Sequence, residues 1–318
     1  MAKKYIGALL HLGMNMWSRR EVEYTKSVGG YHYKLACQKD EWIALTEEMA
    51  RLGMNLLLID MAEGVRYDSH PELAVEGSWS KEEFKADLAR LRALGITPIP
   101  KFNFSLGHSA WLKDYAYMAG TDTYYKVCED LIREVCDLFD GPEFFHLGLE
   151  EEEYGSQASF PIIFIRNVAT KCRDALRLFD ICRDCNTRPW IWVDPNTIDT
   201  FGGEEEFCRI VPRDVLLSNW FYGCCYNGPR MPEDVSPRCY LYKKIGEWGY
   251  DQIPTTSNWG NEFNAKQTMD FCKRYVEDSI TGYMCASWLE TVHDYHYGNV
   301  DCLYNLKYAY DDVYGEEK

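Results

Sequence analysis

The strongest constraint on this chain is an alternation. Eight largely apolar runs, at 6–10, 54–60, 96–104, 143–149, 189–194, 215–220, 252–257 and 281–288, are separated by stretches whose apolar residues recur every three to four positions. Runs without a polar face suit parallel strands covered on both sides, and the intervening period of 3.6 predicts helices. The segment 40–52 carries Trp42, Leu45, Met49 and Leu52 on one stripe and stops at Gly53. The next helix opens with Ser80 and Glu83 in capping-box spacing, buries Phe84, Leu88, Leu91 and Leu94, and ends at Gly95. Further helices are expected at 121–139, 164–183, 265–277 and 300–310, with only a weak, short connection between the fifth and sixth strands.

Eight strands alternating with helices point to an α/β fold, a single (β/α)8 TIM barrel, rather than an open sheet. The 318 residues exceed the roughly 250 that such a barrel needs. The stretch 222–250 is rich in Gly, Pro and Tyr without a clear period. It reads as a loop insertion over the barrel mouth with a helical portion, within one domain spanning 1–318.

A formal charge of −16 excludes a nucleic-acid partner, because phosphate binding needs basic surface. No run approaches the roughly 20 apolar residues of a membrane span. The 13 cysteines, with no secretion signal ahead of them, suit the reduced thiols of a cytoplasmic protein. Cys182-x-x-Cys185 lacks a second pair at zinc-finger spacing, so helix-end thiols are the plainer reading. The 10 Trp and 23 Tyr are an excess that serves either the core or a carbohydrate site. A pyranose offers apolar C–H faces that stack on flat rings while its hydroxyls seek polar partners.

Barrel sites form at the carboxyl ends of strands. Those ends carry Asn15 and Trp17; Asp60 and Arg66; Lys101, Asn103 and His108; the run Glu150 to Glu153; Asp194; Asn219, Trp220 and Tyr222; Asn258, Trp259 and Glu262; and Trp288, Glu290, His293 and Asp294. Taken singly, each has a bland reading: a solvated acidic run, a hydrogen-bonded histidine, a core tryptophan. As a set they describe an acidic, aromatic pocket. His293, Asp294, His296 and Asp301 are spaced too irregularly for a confident metal site, and neither metal nor cofactor is expected. Glycoside cleavage suits these parts. It needs a protonated carboxyl at the leaving oxygen and a second group to stabilise charge at the anomeric carbon.

Several segments together resemble glycoside hydrolase family 20, the β-N-acetylhexosaminidases. They are Met54 to Asp60 with Gly64-Val65-Arg66, Gly95 to Asn103 with Gly107-His108, His146-Leu147-Gly148-Leu149-Glu150-Glu151, Trp192-Val193-Asp194 and Ser287-Trp288-Leu289-Glu290. The resemblance spans most of the barrel in order. It implies Glu151 as general acid/base, Trp192, Trp220 and Trp288 around the sugar, Glu290 on sugar hydroxyls, and Tyr222 on an acetamido oxygen. Asp60, Arg66, Lys101, Asn103, His108, Asp194 and Trp259 complete the expected carbohydrate-binding set.

The departures are specific. Glu150 stands where the family has an Asp that orients the acetamido group, Lys101 and Asn103 replace a Glu and an Asp, and Leu149 replaces a Gly. The expected function is an exo-acting, retaining glycosidase in which the acetamido group assists, or in which Glu290 or Glu262 acts as nucleophile. The alternatives are a barrel that binds carbohydrate without cleaving it and a metal-dependent barrel enzyme. Lys101 suits a substrate carboxylate or sulfate, or else a structural ion pair.

Overall fold

The computed structural model describes residues 4–18, 30–160, 162–223 and 236–315. Its eight strands are β1 (Tyr5–His11), β2 (Leu56–Asp60), β3 (Thr97–Lys101), β4 (Phe144–His146), β5 (Arg188–Val193), β6 (Leu216–Asn219), β7 (Thr255–Thr256) and β8 (Gly282–Ala286). They form one sheet in the order β6-β5-β4-β3-β2-β1-β8-β7, with every pair parallel. Isolated parallel bridges, Leu217 to Gln252 and Trp220 to Thr255, join its two edges and close the barrel. The (β/α)8 expectation is met.

The helices are α1 (Lys39–Arg51), α2 (Lys81–Ala93), α3 (Asp122–Leu138), α4 (Tyr154–Gln157), α5 (Val168–Asp184), α6 (Pro195–Thr200), α7 (Glu204–Ile210), α8 (Pro237–Glu247), α9 (Asn264–Tyr275) and α10 (His296–Tyr314). Ser80 and Glu83 form the expected capping box at the start of α2. Two short helices, α6 and α7, occupy the connection that the sequence leaves weak; each is under two turns, too short for a period to register. Helix α8 fills the second half of 222–250, so that half is a regular barrel helix rather than an inserted loop. Its buried Cys239, Tyr242 and Ile245 give only three beats of a stripe. Residues 224–235 of the same stretch lie outside the described residues.

Alternation along the strands divides the core in two. Leu9, Leu56, Leu58, Ile99, Phe144, Trp190, Trp192, Leu216, Ile253, Met284 and Ala286 form one cluster, while their neighbours Leu10, Leu57, Ile59, Phe145, Ile191 and Leu217 join the helices in another. The first fills the barrel lumen and the second cements strands to helices. Inside, the Trp190 indole donates to Ser218 Oγ at 2.8 Å, and Ser218 donates to the Ile253 carbonyl at 2.5 Å, stitching the closing seam.

Candidate active site

The lumen alternation sets what lies above the apolar plug. Counting two residues on from Leu9, Leu58, Ile99 and Phe144 gives His11, Asp60, Lys101 and His146, and these four are register partners in one row across β1 to β4. All four are fully or almost fully buried. Asp60 accepts from Trp17 Nε1 at 2.7 Å, lies 2.7 Å from His11 Nδ1, and takes the Lys101 ammonium on its other oxygen. Burial alone would raise the Asp60 carboxyl; Lys101 and His11 outweigh it and hold it well below the usual carboxylate range. His146 has the opposite balance, with burial and then Lys101 keeping it neutral.

On this floor stands a cleft of about 390 Å³, lined by Met14, Trp17, Glu150, Glu151, Trp192, Trp220, Tyr222, Trp259 and Trp288. That volume suits a single sugar ring. Trp288 packs 4.7 Å from Trp17, 6.3 Å from Trp192 and 6.2 Å from Tyr222, ring centre to ring centre, so the walls form a continuous aromatic belt. Trp259, 70% exposed, stands at the mouth.

The two acids hang from a contorted turn after β4. Gly148, Leu149 and Glu151 have φ of 73°, 76° and 51°, and Trp288 opposite has 61°. Each non-glycine residue there costs roughly 1–2 kcal/mol. Gly148 has no substitute, since a Cβ would lie 2.0 Å from Asn103 Oδ1. Asn103 Nδ2 donates to Glu150 Oε1 at 2.8 Å, and Ser105 Oγ to the Glu150 carbonyl. The other carboxylate oxygen of Glu150 is buried with no hydrogen-bond partner among the described residues.

His108 organises the pair. Its Nε2 is 3.0 Å from Glu151 Oε2 and 3.8 Å from Glu150 Oε1, while Nδ1 is 3.2 Å from the Met16 carbonyl. Burial lowers the imidazole, but the Glu151 bond and both carboxylates overcome that and raise it. Glu151 is held low, the His108 bond and charge prevailing over burial, with Arg238 contributing from farther off. Glu150 is raised by burial despite His108 and Lys101. The two acids are therefore split, the deeper one towards the protonated form. The Tyr222 hydroxyl is pushed well up by burial. The Trp288 indole lies near enough to oppose that, yet neither atom completes a hydrogen bond among the described residues.

Neither a family profile nor any curated protein sequence matches the chain. Solved structures do. A β-N-acetylhexosaminidase from Bacteroides fragilis superposes with a TM-score of 0.63 at 15% identity, over 96% of this chain and 65% of that one. The Flavobacterium johnsoniae chitobiase gives 0.58 at 15% identity, over 97% of this chain and 50% of its own. Dispersin B gives 0.57 at 11% identity, over 96% of this chain and 99% of its own. The fold is that of the hexosaminidase barrel. The chain spans half to two thirds of the length of the first two.

Against that hexosaminidase-type barrel, the expected residues separate into groups. Glu150, Glu151, Trp192, Trp220, Tyr222, Trp259 and Trp288 meet in the cleft, and His108 and Asn103 stand directly behind the acids. Asp60 and Lys101 lie beneath the floor in their own ion pair, which is the structural alternative foreseen for Lys101. Asp194 caps α6 through Thr197 N at 2.8 Å and pairs with Arg238 at 3.0 Å. Arg66 is exposed and Glu290 lies 3.6 Å from His32, both outside the cleft lining. Glu262 is exposed as well. His293 lies against Asp40 and Glu41, and His296 against Glu41. No group of three or more His, Cys, Asp or Glu among the described residues is arranged to hold a metal. Met14 and Arg238 escaped the sequence reading: a methionine beyond a strand and an arginine in an aperiodic stretch carry no pattern.

Proposed function

We propose that this protein is an exo-acting, retaining glycosidase that releases a terminal N-acetylhexosamine or a related sugar. The observation that carries the reading is the meeting of a buried carboxylate oxygen on Glu150 and the Tyr222 hydroxyl, both lacking hydrogen-bond partners among the described residues, in an aromatic cleft of sugar size beside Glu151. Buried polar atoms left open cost roughly 1–3 kcal/mol each, and these two belong to residues that line the cleft, where a ligand can donate and accept. Glu150 would take the acetamido N–H and Tyr222 would donate to its oxygen, turning that oxygen towards the anomeric carbon. Similar folds include a Streptomyces plicatus β-hexosaminidase mutant in complex with its product GlcNAc, which agrees with this substrate class.

Glu151 would serve as acid/base through His108. His108 Nε2 lies 3.0 Å from Glu151 Oε2, so a proton held on the imidazole can pass through Glu151 to the leaving oxygen as the acetal breaks. The acetamido oxygen closes on the anomeric carbon from the other side. Glu151 then takes a proton from the water that opens this cyclic intermediate, which retains configuration. The aromatic belt stabilises the oxocarbenium-like charge.

The split of the acids favours a second assignment, in which Glu150, held the higher, is the acid and Glu151, held the lower, steadies the positive charge. Leaving-group chemistry separates them. Glu151→Gln should lose turnover of a poor leaving group, such as an alkyl N-acetylglucosaminide, by about 10²–10⁴-fold. It should keep most of the glycosylation step for a dinitrophenyl glycoside, which needs no protonation. If that pattern instead belongs to Glu150→Gln, the roles are exchanged; if no variant changes turnover of any glycoside, the glycosidase reading fails.

A further inference from the structure

Glu152, two residues past the deeper acid, has no place in the cleft, yet it is 3% exposed and among the most heavily bonded carboxylates of the protein. It accepts from Leu106 N at 3.0 Å, pairs with Arg166, and meets Lys171 Nζ at 2.9 Å. Leu106 belongs to the loop that carries His108, so this carboxylate ties the two halves of the His108–Glu151 pair to one anchor. Lys171 Nζ also donates to the Leu149 carbonyl at 2.9 Å, inside the left-handed turn, and its remaining face lies 5.3 Å from the Phe201 ring centre.

The lysine is unexpected where it sits. It is 1% exposed and one turn from the start of α5, where the helix dipole disfavours positive charge. Its position shares the buried stripe with Ala175, Leu178 and Cys182, where an apolar residue would pack at lower cost. A local rule broken this openly, beside three left-handed residues, points to function rather than packing.

We infer that Lys171 is the positioning residue of the acid pair: its ammonium, anchored by Glu152, clamps the Leu149 carbonyl and so keeps the strained turn aiming Glu150 and Glu151 into the cleft. The inference rests on the glycosidase reading for its activity readout only. Burial, more than any neighbour, depresses the ammonium to about 8, with Glu152 and Glu150 opposing and Arg166 assisting. Loss of its proton leaves two N–H donors but removes the charge that holds the amine to the Glu152 carboxylate while it donates to Leu149. The clamp therefore weakens as pH rises through that value.

Lys171→Met and Lys171→Arg test it. Lys171→Met should lower kcat about 10–100-fold with KM within about threefold, the size expected when reacting groups drift by an ångström. Lys171→Arg should keep most activity and move the alkaline limb of the kcat profile upwards from about pH 8, because a guanidinium does not titrate there. A Leu303→Ala variant, a cavity in distant α10, should lose Tm while keeping kcat. The imidazole titration of His108, followed by NMR, should fall towards the ordinary histidine value in Lys171→Met, because Glu151 no longer meets it. Wild-type kcat together with an unchanged His108 titration in Lys171→Met overturns the inference. So does an alkaline limb in Lys171→Arg identical to the wild type, which decides the matter if the methionine variant does not fold. If the wild type cleaves no glycoside, the functional proposal falls, while the His108 titration still tests the clamp.

Discussion

Two polar clusters share the carboxyl end of this barrel, and they are built on opposite principles. Around Asp60 both carboxylate oxygens are engaged, by His11, Trp17 and Lys101, and the cluster is sealed below the cleft floor. Around Glu150 one carboxylate oxygen, the Tyr222 hydroxyl and the Trp192 indole nitrogen lack partners among the described residues. The Asp60 carboxylate is complete without a ligand and the Glu150 carboxylate is not, although His11 Nε2 and His146 Nε2 in the Asp60 row are also buried without partners among the described residues. Charge does not distinguish the two carboxylates; saturation does, and only Glu150 keeps an open oxygen on a residue that lines the cleft.

Disturbing each cluster should therefore fail in a different currency. Glu151→Gln should reduce turnover of poor leaving groups by the 10²–10⁴-fold given above while shifting the urea midpoint little. Asp60→Asn or Lys101→Met should do the reverse first. Each strands a buried charge at a cost of about 3–5 kcal/mol, read as a lower urea midpoint. Replacing both partners at once with Leu and Met should recover much of that loss. A single variant as stable as the wild type would erase the distinction drawn here.

The pH dependence sharpens it. Asp60 is held below the value it has when unfolded, so it stabilises the fold above about pH 4 and loses that contribution as pH falls towards its folded value. The gap between wild type and Asp60→Asn should narrow on acidification. Glu63 runs the other way. It accepts from Met14 N at 2.8 Å and Asn15 N at 3.1 Å, yet burial raises it to about 7. Its contribution is full below the ordinary glutamate value and lost as pH rises through about 7. Glu63→Gln should therefore gain on the wild type between pH 5 and pH 8, by up to about 3 kcal/mol, in thermal melts at the two pH values. Smaller still, Trp17→Phe keeps a ring in the cleft wall but deprives Asp60 of one donor, for about 1–3 kcal/mol of stability. At the bottom of the scale, breaking the exposed Lys34–Glu76 pair with Lys34→Ala should move stability by less than about 0.5 kcal/mol.

The sequence made the barrel legible because its strands are apolar on both faces and its helices carry regular stripes. It stumbled where elements are short. Strand β4 keeps only Phe144–His146 of the expected 143–149, because the chain turns left-handed from Gly148, and α6 and α7 have too few residues to show a period. The aromatic and acidic members of the cleft were legible as strand-end residues. Which of them face a ligand was not, since that depends on pairing across the chain. Asp194 and Glu150 look alike in sequence, but the first is spent on a helix cap and Arg238 while the second retains an open oxygen. Lys171 was hidden by its own helix, where nothing local says why a cation should lie on a buried stripe.

The seam between β6 and β7 has one further consequence. It is held by isolated bridges and the Trp190–Ser218–Ile253 relay, whereas β1 with β2, β1 with β8, β2 with β3 and β5 with β6 share ladders of four or five register pairs. Trp220, a wall of the cleft, is itself one of the bridging residues. A barrel with so sparse a seam in the side of its cup cannot unzip there without widening the cup. In this protein the fit around a guest and the integrity of the hoop are one mechanical degree of freedom.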